Sequence, residues 1–333
     1  MNGSDEYRDN ALAGRTGMNS PRIVILMAVY QGARFLQAQL DSIAVQSYRY
    51  WSLIASDDGS TDGSREILAR FAAQNPGRIT LIDGPKAGAT QNFLHLLLQA
   101  PEGHYISFCD QDDWWLPDKL SRAVATLQPV QGPAHYAART LICDEDLRPL
   151  TGSRYFLRPF RFQNALIQAC MAGNTSIFNE QAARILRAGA RAAADAGVTA
   201  HDWWAYQLMS GSAAQIIRDD SPALLYRQHG RSEMGRNDTA RALVRRLGLL
   251  ADGNFGHWLS ANHQALTAAS SLTEENRRIL REFGAALHLP GPKAAQVFRR
   301  LGLYRHTAPG TAAFYAAAAA GRLRQPRGNN PDR

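Results

Sequence analysis

Three carboxylates fall within four residues at Asp110-Gln111-Asp112-Asp113, directly behind the apolar run from Tyr105 to Cys109. Two unit charges about 4 Å apart repel by about 1 kcal/mol in water but by about 4 kcal/mol at an effective dielectric of about 20. A cluster of this density is therefore either fully solvated or neutralised by a cation. Mg²⁺ or Mn²⁺ suits it, because each takes oxygen from one or two carboxylates and completes its shell with water and substrate phosphate oxygens. The chemistry to expect is a metal held on a nucleotide diphosphate. A second acidic run, Asp57-Asp58-Gly59-Ser60-Thr61-Asp62, offers Gly and Ser for a tight turn and Ser/Thr to cap the helix behind it, with its acids at the surface. It is not a calcium loop, since Gly59 stands where the third ligand is required. Asp202 lies three residues after Thr199, a capping-box spacing. His229 reads as a polar loop residue, with metal or phosphate ligation as its alternative.

The elements that must position these groups follow from periodicity. Residues 22–30 (RIVILMAVY) are a continuous β-branched and apolar run, the pattern of a strand buried on both faces of a parallel sheet. Residues 33–45 and 61–71 have apolar side chains at helical spacing, and 51–55 and 79–82 read as further strands. Residues 90–98 form another helix, and 105–109 is the strand that ends in the acidic cluster. This alternation predicts an open, mostly parallel sheet flanked by helices, with ligands beyond the carboxyl ends of its strands. The first strand is followed by neither a Walker A loop nor GxGxxG, so P-loop and dinucleotide sites lack their phosphate cradle. Pro and Gly punctuate residues 128–161 and mark a switch between halves. A helix is expected to open near residue 199 and run to about residue 210.

With 45% apolar residues in 333, the chain can bury a sizeable core, which excludes disordered and fibrous classes. Cys109, Cys143 and Cys170 show no CxxC spacing, which suggests a reducing compartment and no zinc site. Residues 1–20 read as a disordered leader without a secretory apolar segment, so a cytoplasmic location is expected. Residues 231–333 carry 16 Lys/Arg against 7 Asp/Glu, whereas residues 1–230 carry 21 against 22. The excess positive charge, with Arg241, Arg245, Arg246, Arg299, Arg300, Arg305, Arg322 and Arg324 among apolar residues, calls for an anionic partner. With no nucleic-acid module in view, that partner is expected to be an anionic membrane surface rather than nucleic acid. No stretch has the roughly 18 apolar residues of a membrane span.

Taken in order, the segments VYQGARFLQAQLDSIAVQSY (29–48), SDDGSTDGS (56–64), FCDQDDWWLPDKL (108–120), AGNTSIFN (172–179), HDWW (201–204) and LYRQHG (225–230) resemble the family 2 glycosyltransferases of GT-A fold. The DQDDWW, HDWW and YRQHG wordings are most similar to bacterial rhamnosyltransferase-type members that build O-antigen and capsule. The resemblance implies an inverting, metal-dependent transfer of a sugar, with L-rhamnose from dTDP-β-L-rhamnose as donor and a lipid-linked saccharide as acceptor. A UDP-hexose or UDP-N-acetylhexosamine donor is the alternative. It also implies roles for residues. Ala28, Tyr30 and Asp58, with Asp57 adjacent, line the base and ribose pocket. Asp110 and Asp112 form the DxD motif, while Asp112 or Asp113 touches the metal. Asp202 is the general base, with His201 in place of a frequent Glu. His229 closes on the diphosphate or the metal. Gln31 and Ala28 depart from the Asn and the Thr or Ser common at those places. The implied organisation is a nucleotide-sugar half (21–128), an acceptor half (129–235) and a basic, mainly helical region (236–333).

Overall fold

The computed structural model describes residues 20–229 and 254–324. Strands β1 (Ile23–Val29), β2 (Trp51–Asp57), β3 (Ile79–Asp83) and β4 (Tyr105–Cys109) run parallel in the order β3-β2-β1-β4. The connecting helices are α1 (Ala33–Ala44), α2 (Ser64–Gln74) and α3 (Ala89–Gln99). Alternate β1 residues serve two cores, which is why the run is apolar at every position. Val24 and Leu26 pack with Leu94, Leu97 and Phe108 on the α3 side. Ile23, Ile25 and Met27 pack with Leu36, Leu40 and Ile43 of α1.

Beyond β4 the sheet becomes mixed. The short β5 (Trp114–Trp115) follows the acidic loop, and α4 (Lys119–Leu127) leads to β6 (Ala134–Cys143), which pairs with β7 (Pro149–Gly152). A four-residue helix α5 (Phe162–Ala165) and a 3₁₀ turn (Gly173–Thr175) precede β8 (Ile177–Phe178), which joins β4 and β6 antiparallel. Then come α6 (Glu180–Asp195), α7 (His201–Gly211) and the long β9 (Gln215–Arg227), parallel to β6 and antiparallel to β5. The sheet of the described residues is thus a mixed α/β layer whose parallel half matches the sequence expectation.

Three local expectations are corrected. The helix expected at 61–71 begins later, at Ser64, behind Gly63 in the left-handed region (φ 92°) with no side-chain cap. Its hydroxyls are used elsewhere: Ser60 Oγ accepts from Gln31 N (2.9 Å) and Ser64 Oγ from Gly32 N (2.9 Å). Nor are Asp57 and Asp58 surface acids, since both are buried. The capping box at Thr199 and Asp202 does not form either. Ala200 is the N-cap of α7, and the Thr199 carbonyl accepts instead from Thr90 Oγ1 (2.9 Å).

The C-terminal helices α8 (Asn254–Thr267), α9 (Glu274–Ala286), α10 (Gly291–Arg300) and α11 (Ala308–Ala319) pack onto the sheet unit and share its larger core. Trp203 of α7 stacks on Phe255 (5.7 Å), and Phe283, Phe298 and Phe314 form a continuous aromatic contact. Of the tail cations, Arg300 pairs with Glu282 (2.9 Å) and Arg305 donates to the Ile167 carbonyl (3.1 Å). Arg241, Arg245, Arg246 and the expected leader (through residue 19) lie outside the described residues. No helix among the described residues is long and apolar enough to cross a membrane.

Candidate active site

The register of the parallel strands sets Val29 opposite Asp57 and Met27 opposite Cys109, so the loops after β1, β2 and β4 share one edge. Gln111, to which sequence reasoning gave no role, locks two of them together. Its Oε1 accepts from Tyr30 N and its Nε2 donates to the Tyr30 carbonyl, both at 2.9 Å. The fit requires glycine next door, since a Cβ on Gly32 would lie 2.1 Å from Gln111 Oε1. A Gln within an acidic cluster gives no signal of such a role; only the strand register brings it to Tyr30.

On this edge Ala28 is partly exposed and Tyr30 is 57% exposed at the rim. Asp57 accepts from Ser60 N (3.2 Å) and faces Arg65 (3.4 Å). Asp58 accepts from Lys86 N (2.6 Å) and Gly88 N (2.9 Å), ordering the turn into α3. These charge-assisted bonds tie the loop after β2 to the turn between β3 and α3.

Asp110 is partly exposed at the end of β4. Asp112 meets a residue 117 positions away, its Oδ2 lying 2.8 Å from His229 Nε2. Arg227 holds this arrangement, donating from Nε to the Asp112 carbonyl (3.0 Å) and covering the Phe35 ring (4.5 Å) that also contacts His229 (4.9 Å). Asp113, expected beside Asp112 on a metal, is instead fully buried, and its Oδ2 accepts from Asn174 Nδ2 (2.7 Å). Burial, then the neighbouring Asp112 and Asp110 charges, push its carboxyl well above the ordinary range. The equally buried Lys119 donates to the Asn174 carbonyl (2.7 Å) and lies over the Trp115 ring, and desolvation lowers its ammonium pKa to about 7.

Among the described residues, no group of three or more His, Cys, Asp or Glu side chains is arranged to hold a metal ion by itself. The donor set that does converge is one carboxylate and one imidazole, Asp112 and His229. It fits a hard cation such as Mn²⁺ or Mg²⁺ that draws its other ligands from phosphate and water.

The turn at Gly173–Thr175 joins this loop to Asp202. Gly173 N donates to Asp202 Oδ2 (3.1 Å), while Asp202 Oδ1 accepts from Trp203 N (2.7 Å). A Cβ on Gly173 would lie 2.8 Å from His201 Nε2 and 3.2 Å from Asp202 Cβ, so the approach needs glycine. Two adjacent residues thus tie the Asp202 and Asp113 carboxylates to one short turn.

His201 stacks on Phe93 (3.9 Å) and meets Phe108 edge-on (5.0 Å); although the residue is partly exposed, its ring is enclosed and its Nε2 has no hydrogen-bond partner. Burial lowers its pKa to about 4, and that of His135, whose Nε2 bonds Ser176 Oγ (2.9 Å), to about 3. Both folded values lie below the unfolded value of about 6.5, so the unfolded chain takes up protons first. The contribution of these two rings to stability is complete above about pH 6.5 and falls as pH drops toward about 4, by about 3 kcal/mol for each ring. Denaturant titrations at about pH 7 and about pH 4.5 measure the slope, and His135→Gln should flatten it; an unchanged slope would show that His135 does not carry its share.

Residues 24–180 match the family model "Glycosyl transferase family 2". That segment belongs to the glycosyltransferase family, and the chain has the GT-A fold. It is 28% identical over 239 residues to the dTDP-rhamnosyl transferase RfbG of Shigella flexneri, covering 67% of this chain and 78% of the relative. It is 27% identical to the UDP-Glc:alpha-D-GlcNAc-diphosphoundecaprenol beta-1,3-glucosyltransferase WfgD of Escherichia coli, over 33% of this chain and 42% of that one. Among solved structures, S. aureus TarS 1-349 in complex with UDP-GlcNAc superposes with a TM-score of 0.57 at 14% identity, covering 91% of this chain and 88% of that one. The mannosyltransferase PcManGT from Pyrobaculum calidifontis, in complex with GDP-Man and Mn²⁺, gives a TM-score of 0.50 at 20% identity, covering 92% and 88%.

Proposed function

We propose that this chain is an inverting, metal-dependent rhamnosyltransferase that moves L-rhamnose from dTDP-β-L-rhamnose to a lipid-linked saccharide in surface polysaccharide synthesis. The observation that carries this is the Gly173–Thr175 turn, which holds the Asp202 carboxylate and the acidic loop in fixed relation. Residues 21–128 bind the nucleotide-sugar, with Ala28, Tyr30, Asp57 and Asp58 around base and ribose and Asp110 beside the diphosphate. Residues 129–235 receive the acceptor, and the basic region 236–333 lies against the cytoplasmic face of the membrane.

Asp202 takes the proton of the acceptor hydroxyl as its oxygen bonds to the donor C1. The C1–O bond on the opposite face breaks, and its electron pair leaves with the nucleoside diphosphate. A carboxylate positioned for this contributes about 10²–10⁴-fold. No covalent enzyme intermediate is needed, and inversion yields an α-L-rhamnoside. Mg²⁺ or Mn²⁺ held by Asp112 and His229 would supply Lewis-acid stabilisation of charge on the leaving diphosphate. Asp113 positions Asn174.

A UDP-sugar donor is the second reading, supported by the names of WfgD and of the TarS complex. A panel of nucleotide-sugars, scored by donor hydrolysis and by transfer, separates them. dTDP-β-L-rhamnose should react at least about tenfold faster than UDP-glucose, UDP-galactose or UDP-N-acetylglucosamine, a difference of about 1.4 kcal/mol in transition-state binding. A tenfold preference for any UDP-sugar moves the assignment to the second reading.

A further inference from the structure

Between Leu147 and Asn179 the sequence has four Arg and no Asp or Glu. Among the described residues seven large hydrophobic side chains are exposed, and three of them, Leu150 (48%), Tyr155 (55%) and Leu157 (91%), fall within eight positions of this acid-free stretch. Arg154, Arg158 and Arg161 alternate with them and are exposed as well.

The segment after β7 is firmly held. Phe156 contacts His306 (4.7 Å) and Phe160 (6.0 Å), and Phe160 reaches Tyr206 (6.3 Å). Arg139 donates to the Ser153 carbonyl and covers the Tyr155 ring (3.5 Å). Tyr304 Oη donates to the Pro159 carbonyl (2.6 Å), and Arg158 N donates to His306 Nδ1 (3.3 Å). Phe156 and Phe160 are thus anchored inward while Leu157 between them is turned outward. A leucine presented from a fixed backbone and flanked by cations has the composition of an interfacial anchor: apolar side chains entering the headgroup boundary, Tyr at headgroup level, Arg on phosphate.

We propose that residues 150–161 dock this protein on an anionic lipid surface, with Leu157 inserted and Arg154 and Arg161 on headgroup phosphates. The inference rests on the reading that the acceptor is lipid-linked, and it names a contact surface separate from the basic region 236–333. The same segment runs on through α5 into the turn that holds Asp202, so docking here would bring the acceptor half of the site to the membrane.

The full chain is sedimented with phosphatidylcholine vesicles with and without phosphatidylglycerol, at low and high salt. The wild type should bind only the anionic vesicles and be released by salt. Leu157→Asp and the Arg154→Gln/Arg161→Gln pair should each weaken that binding by about tenfold or more, with donor hydrolysis unchanged. Equal binding of wild type and both variants places the contact elsewhere and overturns the proposal. Failure of the wild type to bind overturns it too, and loss of self-association in Leu157→Asp would then identify a protein interface instead. Donor hydrolysis, read without vesicles, tests the glycosyltransferase reading independently.

Discussion

Asp202→Asn should lower kcat for transfer by about 10²-fold or more while leaving the KM for the nucleotide-sugar nearly unchanged. The substitution keeps shape and size but removes the group able to take a proton. Its structural cost is small. Asp202 accepts from Gly173 N and Trp203 N, and an amide oxygen can keep one of these, so about 1 kcal/mol of stability is at stake. The two consequences separate cleanly: thermal unfolding reads the anchor and steady-state kinetics read the base. If Asp202 served only to hold Gly173, the variant would be slightly less stable and almost fully active. A stable variant with near-normal kcat would end its assignment as the base.

The parallel half of the fold is legible in the sequence because β1, β2 and β4 are buried on both faces. The run at Ile23–Val29 has no polar residue, and the acidic loops follow directly from strand ends. The second half is harder to read for a physical reason. β6 carries His135, Arg139 and Thr140 in buried positions, each bonded to a distant partner: His135 Nε2 to Ser176 Oγ, Arg139 to the Ser153 carbonyl and Thr140 N to Ser153 Oγ. Neither alternation nor a continuous apolar run survives there. The same applies to the site. Asp112 and Asp113 are adjacent and chemically identical, yet one meets His229 and the other is turned into the core against Asn174 and Lys119. Such a division depends on partners 117 and 61 positions away, which local pattern does not encode. Ser60 and Ser64 teach the same lesson: their types suit caps, but the β1 loop lies close enough to claim their hydroxyls.

Transfer should cease in chelator and return with Mg²⁺ or Mn²⁺, and Asp112→Asn should cost about 10²–10³-fold in kcat. The expected size follows from what Asp112 holds. Among the described residues its carboxylate and His229 are the one acid–imidazole ion pair, and an amide in its place loses the charge that recruits a divalent cation. Asn174→Ala provides the contrast. It strips the donor from the buried Asp113 carboxyl, so it should cost about 1–3 kcal/mol of stability while leaving the cation requirement intact. Mn²⁺ titration in the presence of the nucleoside diphosphate, read by calorimetry, distinguishes the two variants: Asp112→Asn should weaken the cation and Asn174→Ala should not. Full turnover in chelator, or the same Mn²⁺ midpoint for wild type and Asp112→Asn, would remove Asp112 and His229 as the ligands and leave their pairing a structural latch between β9 and the acidic loop.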